Sequence, residues 1–135
     1  MFKRFLIISA SLILFSCSLF DPSVLSISEI LATDSFYADS IILQDAGAYS
    51  IYLSSDYPLD IFFFDSKSGF DAFKDSGMLY SEYIYYPLSF ANETYVDDLF
   101  NTFEEGKTLY FVIDNTSKIT QSSGNAYYTI EIKKL

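Results

Sequence analysis

The segment Leu59-Asp60-Ile61-Phe62-Phe63-Phe64 is apolar on both of the faces that a β-strand presents. Successive side chains of a strand point to opposite sides, so four consecutive large apolar residues need cover above and below. This predicts a central strand at the heart of the core. Asp56-Tyr57-Pro58 before it reads as a turn. Further upstream, Tyr49, Ile51 and Leu53 alternate with Ala48, Ser50 and Tyr52, the period-two pattern of a half-buried strand. Ser40 to Gln44 is another candidate strand, closed by Asp45-Ala46-Gly47.

Downstream, Lys67 to Gly77 breaks the β pattern. Phe70 and Phe73 fall three apart among Lys67, Asp71, Lys74 and Asp75, which predicts a helical insertion of a turn or two. Leu79 to Phe90 carries Tyr80, Tyr83, Tyr85 and Tyr86 before Pro87. Read as a strand, it places Tyr83 and Tyr85 on one face and Tyr80, Ile84 and Tyr86 on the other. Asn92 to Glu105 is polar and acidic and reads as a connection. Leu109 to Ile113 is a strongly β-prone strand, and Ser122-Ser123-Gly124-Asn125 a turn. The closing segment sets Tyr128, Ile130 and Ile132 against Tyr127, Thr129, Glu131 and Lys133, one side buried and one wet. Short strands with turn residues at regular intervals predict an all-β fold, an antiparallel β-sandwich of about seven to eight short strands with one short helical insertion.

The opening of the chain has a different composition. Lys3 and Arg4 precede an eleven-residue run from Phe5 to Phe15 broken only by Ser9 and Ser11. A membrane-spanning helix needs about 20 apolar residues, whereas this length suits the apolar region of a secretory signal. The run ends in Leu14-Phe15-Ser16-Cys17, which contains the single cysteine of the chain. That arrangement resembles the lipobox of bacterial lipoproteins, and versions with a larger residue at the place of Phe15 are typical of spirochaete lipoproteins. The resemblance implies a signal-peptide helix over 1–16, cleavage between Ser16 and Cys17, a diacylglyceryl group on the Cys17 thiol and an acyl chain such as palmitate on the new amino terminus. Residues 17–33 are assigned to a lipidated N-terminus and tether, although Leu25, Ile30 and Leu31 suit a packed strand or helix equally well. The domain proper is expected over 34–135.

Removing 16 of the 135 residues takes both Lys3 and Arg4, so the net charge of −10 becomes −12, six lysines against eighteen acids. Such a surface keeps a protein soluble and lacks the basic footprint that nucleic acid demands. It also lacks a polybasic grip on anionic lipid, which leaves membrane attachment to the lipid. Fourteen Phe and twelve Tyr without any Trp suit half-buried strands and wet faces. With one cysteine, no disulfide forms within the chain.

A second, shorter likeness runs from residue 40 to 135. The segments Leu59 to Asp65, Leu109-Tyr110-Phe111-Val112-Ile113-Asp114-Asn115-Thr116 and Tyr128-Thr129-Ile130-Glu131-Ile132, with Phe70 and Phe73 between the first two, resemble small extracellular β-sandwiches of the bacterial pre-peptidase C-terminal and GOLD types. The resemblance implies an accessory module that binds or orients proteins or glycans.

Catalytic chemistry finds few footholds. The chain has no histidine, the commonest general base and zinc ligand. No pair among its many carboxylates stands out as an acid/base couple. Asp65, Asp71 and Asp75 raise a calcium reading, but Lys67 takes the third ligand position and Ser76 the place of the bidentate Glu. The expectation is a non-catalytic binding or structural module of the bacterial cell envelope, without cofactor and without nucleic acid, held to a membrane through Cys17. Its ligand surface is expected at Tyr83 and Tyr85, with Tyr127, and its partner is an envelope protein or glycan. The alternative is a calcium-dependent or carboxylate-based envelope hydrolase using Asp65, Asp71, Asp97 or Asp98.

Overall fold

The computed structural model describes residues 23–135. Six strands run in order among them: β1 (Ser23–Leu31), β2 (Phe36–Leu43), β3 (Gly47–Phe64), β4 (Phe90–Thr102), β5 (Lys107–Asp114) and β6 (Ala126–Lys134). One helix, α1 (Lys67–Ser76), and two single 3-10 turns, Ser81–Tyr83 and Tyr86–Leu88, lie between β3 and β4. Every pairing is antiparallel, in the order β1-β6-β3-β5-β2, with β4 also on β3. The all-β antiparallel expectation is borne out. The strands form one sheet that wraps nearly into a barrel, because β1 and β2, the two ends of that order, approach each other.

The long strand β3 explains how one sheet encloses a core. Its first half pairs with β6 from Tyr49–Lys134 to Ser55–Tyr128, and its second half pairs with β5 from Asp60–Asp114 to Phe64–Tyr110. Between them the register with β4 slips at Ser54/Leu59 and again at Leu59/Ile61. Bulges of this kind bend a strand and raise its twist. The Asp56-Tyr57-Pro58 signal is thus a bend inside one strand rather than a turn between two, and β4 accompanies β3 across it.

Inside the curl lie Tyr49, Ile51 and Leu53 of β3, Ile61 and Phe63 beyond the bend, Leu109, Phe111 and Ile113 of β5, and Tyr128, Ile130 and Ile132 of β6. Phe63 stacks on Phe111, and Tyr49 on Phe100 of β4. Phe62 and Phe64 point the other way, into a second cluster with Val112, Phe70 and Phe73. The prediction of a strand covered on both faces therefore holds at Ile61–Phe64. The cover on the outer side is α1, whose Phe70 and Phe73 are its buried side chains besides Gly69.

That helix is longer than the turn or two expected, and its ends carry the reason. Ser66 caps its start, accepting from the Gly69 amide at 3.2 Å. Gly77, at φ 69°, returns its amide to the Phe73 carbonyl at 2.8 Å. Gly69 is there for contact: a Cβ in its place would lie 2.4 Å from the Tyr83 Cβ.

Of the two readings left open for residues 17–33, Ser23–Leu31 takes that of a packed strand, with Leu25, Ile27 and Leu31 turned toward the core and Ile30 exposed. Two further expectations are corrected. The expected connection over 92–105 is mostly strand: β4 buries Val96, Phe100 and Thr102 while its other side stays in water. The tyrosine-rich stretch is not a regular strand. Pro87 sits in the first turn of a 3-10 element, and only an isolated bridge from Ile84 to Phe64 remains of the expected pairing. Six strands, several of them long, replace the seven or eight short ones.

A polar junction closes one end of the barrel. Asn115, fully buried, gives its side-chain amide to the carbonyls of Leu31 (3.0 Å), Ala32 (3.2 Å) and Gly124 (2.8 Å) and accepts from the Ser122 hydroxyl at 2.9 Å. Beside it Asp60, also buried, accepts from the Asn92 amide and from both the amide and the hydroxyl of Thr120. Its register partner Asp114 accepts the Thr116 amide through one oxygen, while the other is buried without a protein partner. One short sequence, Asp114-Asn115-Thr116, thus ties the end of β1, the end of β5 and the loop before β6.

Candidate binding face

The two halves of the curled sheet differ on the outside. The half around Phe62 and Phe64 is roofed by α1 and the tyrosine turns. The half made of β1, β6, the first part of β3 and β4 is open, and its register lays the side chains out in rows. Ser26, Glu131, Tyr52 and Asp97 form one row across the four strands. Ser28, Thr129, Ser54 and Tyr95 form the next, and Lys133, Ser50 and Leu99 a third. Ile30 lies opposite Tyr127 at the margin. Four strands at about 4.8 Å spacing make a face about 15 Å wide.

Its aromatic groups are held rather than loose. Tyr52 and Tyr95 meet edge to face, with centroids 5.9 Å apart. The Tyr95 hydroxyl lies 3.4 Å from the Asp97 carboxylate, and the negative charge of Asp97 raises the Tyr95 pKa above its ordinary value. Tyr127 is 56% exposed, and its backbone amide is fixed by Asp56 at 2.8 Å. Around the rings, Ser28 and Thr129 share a hydrogen bond of 2.7 Å, and Lys133 and Glu131 an ion pair of 2.9 Å. The surface alternates ring, hydroxyl and carboxylate, so it can stack on a flat apolar group and donate to or accept from its polar rim.

Of the three tyrosines expected at a ligand surface, only Tyr127 stands on this face. Tyr83 is half-buried against Gly69 and the cluster under α1, with its ring edge-on to Tyr80 at 6.0 Å. Tyr85 gives its amide to the Phe63 carbonyl at 2.7 Å and packs against the main core, with the Lys107 ammonium 5.1 Å over its ring. Burial raises the Tyr85 pKa against the opposing pull of Lys107. Tyr83 and Tyr85 thus occupy the roofed side, and Tyr52 and Tyr95 take the exposed positions beside Tyr127.

The acids of the calcium and hydrolase readings are dispersed. Asp71 is bound to Lys67 at 2.7 Å, one helical turn away, and raises the Lys67 pKa through that hydrogen bond. Asp65 faces Lys107 at 3.7 Å from the start of the helical segment. Asp97 lies on the open face beside Tyr95, while Asp98 accepts the Leu99 amide. Among the described residues no group of three or more acids, cysteines or histidines is gathered as a metal site would need. Ser16 and Cys17 lie outside the described residues. No helix among the described residues is long and apolar enough to cross a membrane.

No protein-family model matches this chain, and no curated protein resembles it in sequence.

Proposed function

We propose that the chain is an envelope lipoprotein, anchored through Cys17, whose β-domain binds a glycan on the open face of β1, β6, β3 and β4. The observation that carries this reading is the row arrangement of Tyr52, Tyr95 and Tyr127 among Asp97, Glu131, Ser28, Ser54 and Thr129 on a sheet face that α1 leaves uncovered. Tyrosine rings supply flat contact area at low entropic cost, and carboxylates beside them accept from hydroxyls. A sugar chain presents that alternation of C–H faces and hydroxyls. The dispersal of the acids and the lack of histidine favour binding over hydrolysis. The curled sheet is compatible with a sandwich of the pre-peptidase C-terminal type, in which the two halves of β3 belong to opposing layers.

Two experiments test the reading. Intact mass of the membrane fraction, compared with Cys17→Ala, should give a chain starting at Cys17 and heavier by its acyl chains, lost in the variant. Sedimentation with insoluble cell-wall polysaccharide should be reduced at least tenfold by Tyr52→Ser with Tyr95→Ser, and should be unmoved by Tyr86→Ser on the roofed side. Equal binding by all variants places the ligand elsewhere.

A further inference from the structure

The ends of the barrel are unlike. One end carries the buried junction of Asn115 and Asp60. The other gathers the start of β1, the end of β6, and the loops 44–46 and 103–106. Ser23 pairs with Lys133, Leu135 donates its amide to the Ala48 carbonyl, Thr102 lies opposite Gly47, and the Gly106 amide reaches the Gln44 carbonyl. Phe103 projects from this second end and is 96% exposed. Ile42 and Leu135 at the same end are also exposed, at 48% and 63%.

A phenylalanine wholly in water forgoes the burial that gives large aromatics their place in cores. Phe103 stands on an ordered turn, fixed by the Thr102 hydroxyl to the Glu104 amide at 3.3 Å and by Glu104 to Lys107 at 2.9 Å. The turn therefore holds the ring outward.

Five residues separate Cys17 from Ser23, and six extended peptide steps span about 20 Å. An anchor on Cys17 keeps this end of the barrel within that distance of the lipid, and keeps the junction end away from it. From this placement we infer that the Phe103 turn, with Ile42 and Leu135 beside it, is the surface by which the domain rests on its own membrane. The inference rests on the anchor proposed above and adds the orientation and the contact. The chain without residues 1–16 carries a net charge of −12, so the lipid surface is zwitterionic rather than anionic, since like charge in the headgroups opposes the approach of the domain as a whole. Sinking one phenylalanine into the interface biases the domain toward this orientation by about tenfold. The open tyrosine face then stands along the membrane normal, exposed to ligands from the side.

The chain has no tryptophan, so Phe103→Trp supplies a single reporter, and Tyr57→Trp at the opposite end supplies its control. Each variant is prepared in two forms: acylated and reconstituted into phosphatidylcholine vesicles, and as the chain from Ser18 onward with a histidine tag held by chelating lipid. The expected result is blue-shifted indole emission from the Phe103→Trp variant, quenched at least twofold by brominated acyl chains, with no quenching in the Tyr57→Trp variant. Replacing half the lipid with phosphatidylglycerol should remove most of that quenching. An unquenched Phe103→Trp reporter in both forms overturns the surface while leaving the anchor, which intact mass reports separately. Quenching of the same reporter on the tagged chain, where the full-length chain leaves Cys17 unmodified, retires the anchor and keeps the surface. Equal quenching in the Phe103→Trp and Tyr57→Trp variants overturns the orientation.

Discussion

Asn115→Ala should be among the most damaging single substitutions in this domain. The side chain reaches three carbonyls and one hydroxyl, but its amide has two protons, so one full bond and one bond shared between two carbonyls are lost together with the Ser122 contact. A net hydrogen bond is worth about 1 kcal/mol, and a buried carbonyl left without a partner costs about 1–3 kcal/mol. With some relaxation of the Gly124 loop, the loss comes to about 3–4 kcal/mol. That is a large share of the roughly 5–15 kcal/mol that holds a domain of this size together. Urea unfolding followed by tyrosine fluorescence reads it directly, and the midpoint should fall while the slope with urea stays unchanged. Asn115→Asp is nearly the same shape but turns an acceptor toward three carbonyl oxygens, so at neutral pH it should be worse than alanine. An alanine variant within about 1 kcal/mol of the parent, or an aspartate variant as stable as the parent, refutes the account of Asn115 as the tie between β1, β5 and the loop before β6.

Gly69→Ala should destabilise, although alanine in a helix usually gains about 1 kcal/mol over glycine, because its Cβ would sit 2.4 Å from the Tyr83 Cβ; a more stable variant in urea contradicts the packing of α1 on the tyrosine turns. Phe73→Ala, emptying the contact with Phe62 and Phe64, should cost about 3–5 kcal/mol by the same measurement. The Tyr128 hydroxyl is buried without a partner, and burial, with the charges of Glu29 and Tyr37 adding to it, pushes its pKa from 10 up to about 12. A raised pKa means that this group's contribution is complete below pH 10 and is lost as the pH climbs through about 12. Tyr128→Phe should therefore shrink the alkaline loss of stability without lowering stability at pH 7, as a pH series of thermal melts will show.

The parts of the fold that could be read in advance were those where burial alternates strictly. Tyr49, Ile51 and Leu53, and Tyr128, Ile130 and Ile132, each face one core, so period two survives in the letters, while Leu109 to Ile113 was legible by its β-prone residues alone, since Val112 turns to the second cluster. The four-residue run Ile61–Phe64 announced its two-sided cover for the same reason. Where the pattern failed, geometry outside the segment decided. β4 is half strand by letter, because its outer side meets water and its buried residues are Val96, Phe100 and Thr102, with Phe90 packed against the core at its start. The tyrosine stretch alternates by letter but is bent into 3-10 turns to pack beneath α1 and along Phe63. Tyr127 was legible on the open face from its place opposite Tyr128 in the alternation. Tyr95 was hidden in an apparent connection, and Tyr52 needed the pairing with β4 to show its neighbour.

The pairing of β1 with β6 has a temporal consequence. Ser23 and Lys133 face each other across the sheet, so the first strand described has no edge to join until nearly all of the chain is present. Contacts that distant in sequence make folding slow, because a long loop must close before any pairing rewards it. Under the export proposed above, that delay would keep the chain pliable while β1 passes a narrow channel, because β1 finds its partner edge only after β6 has followed it.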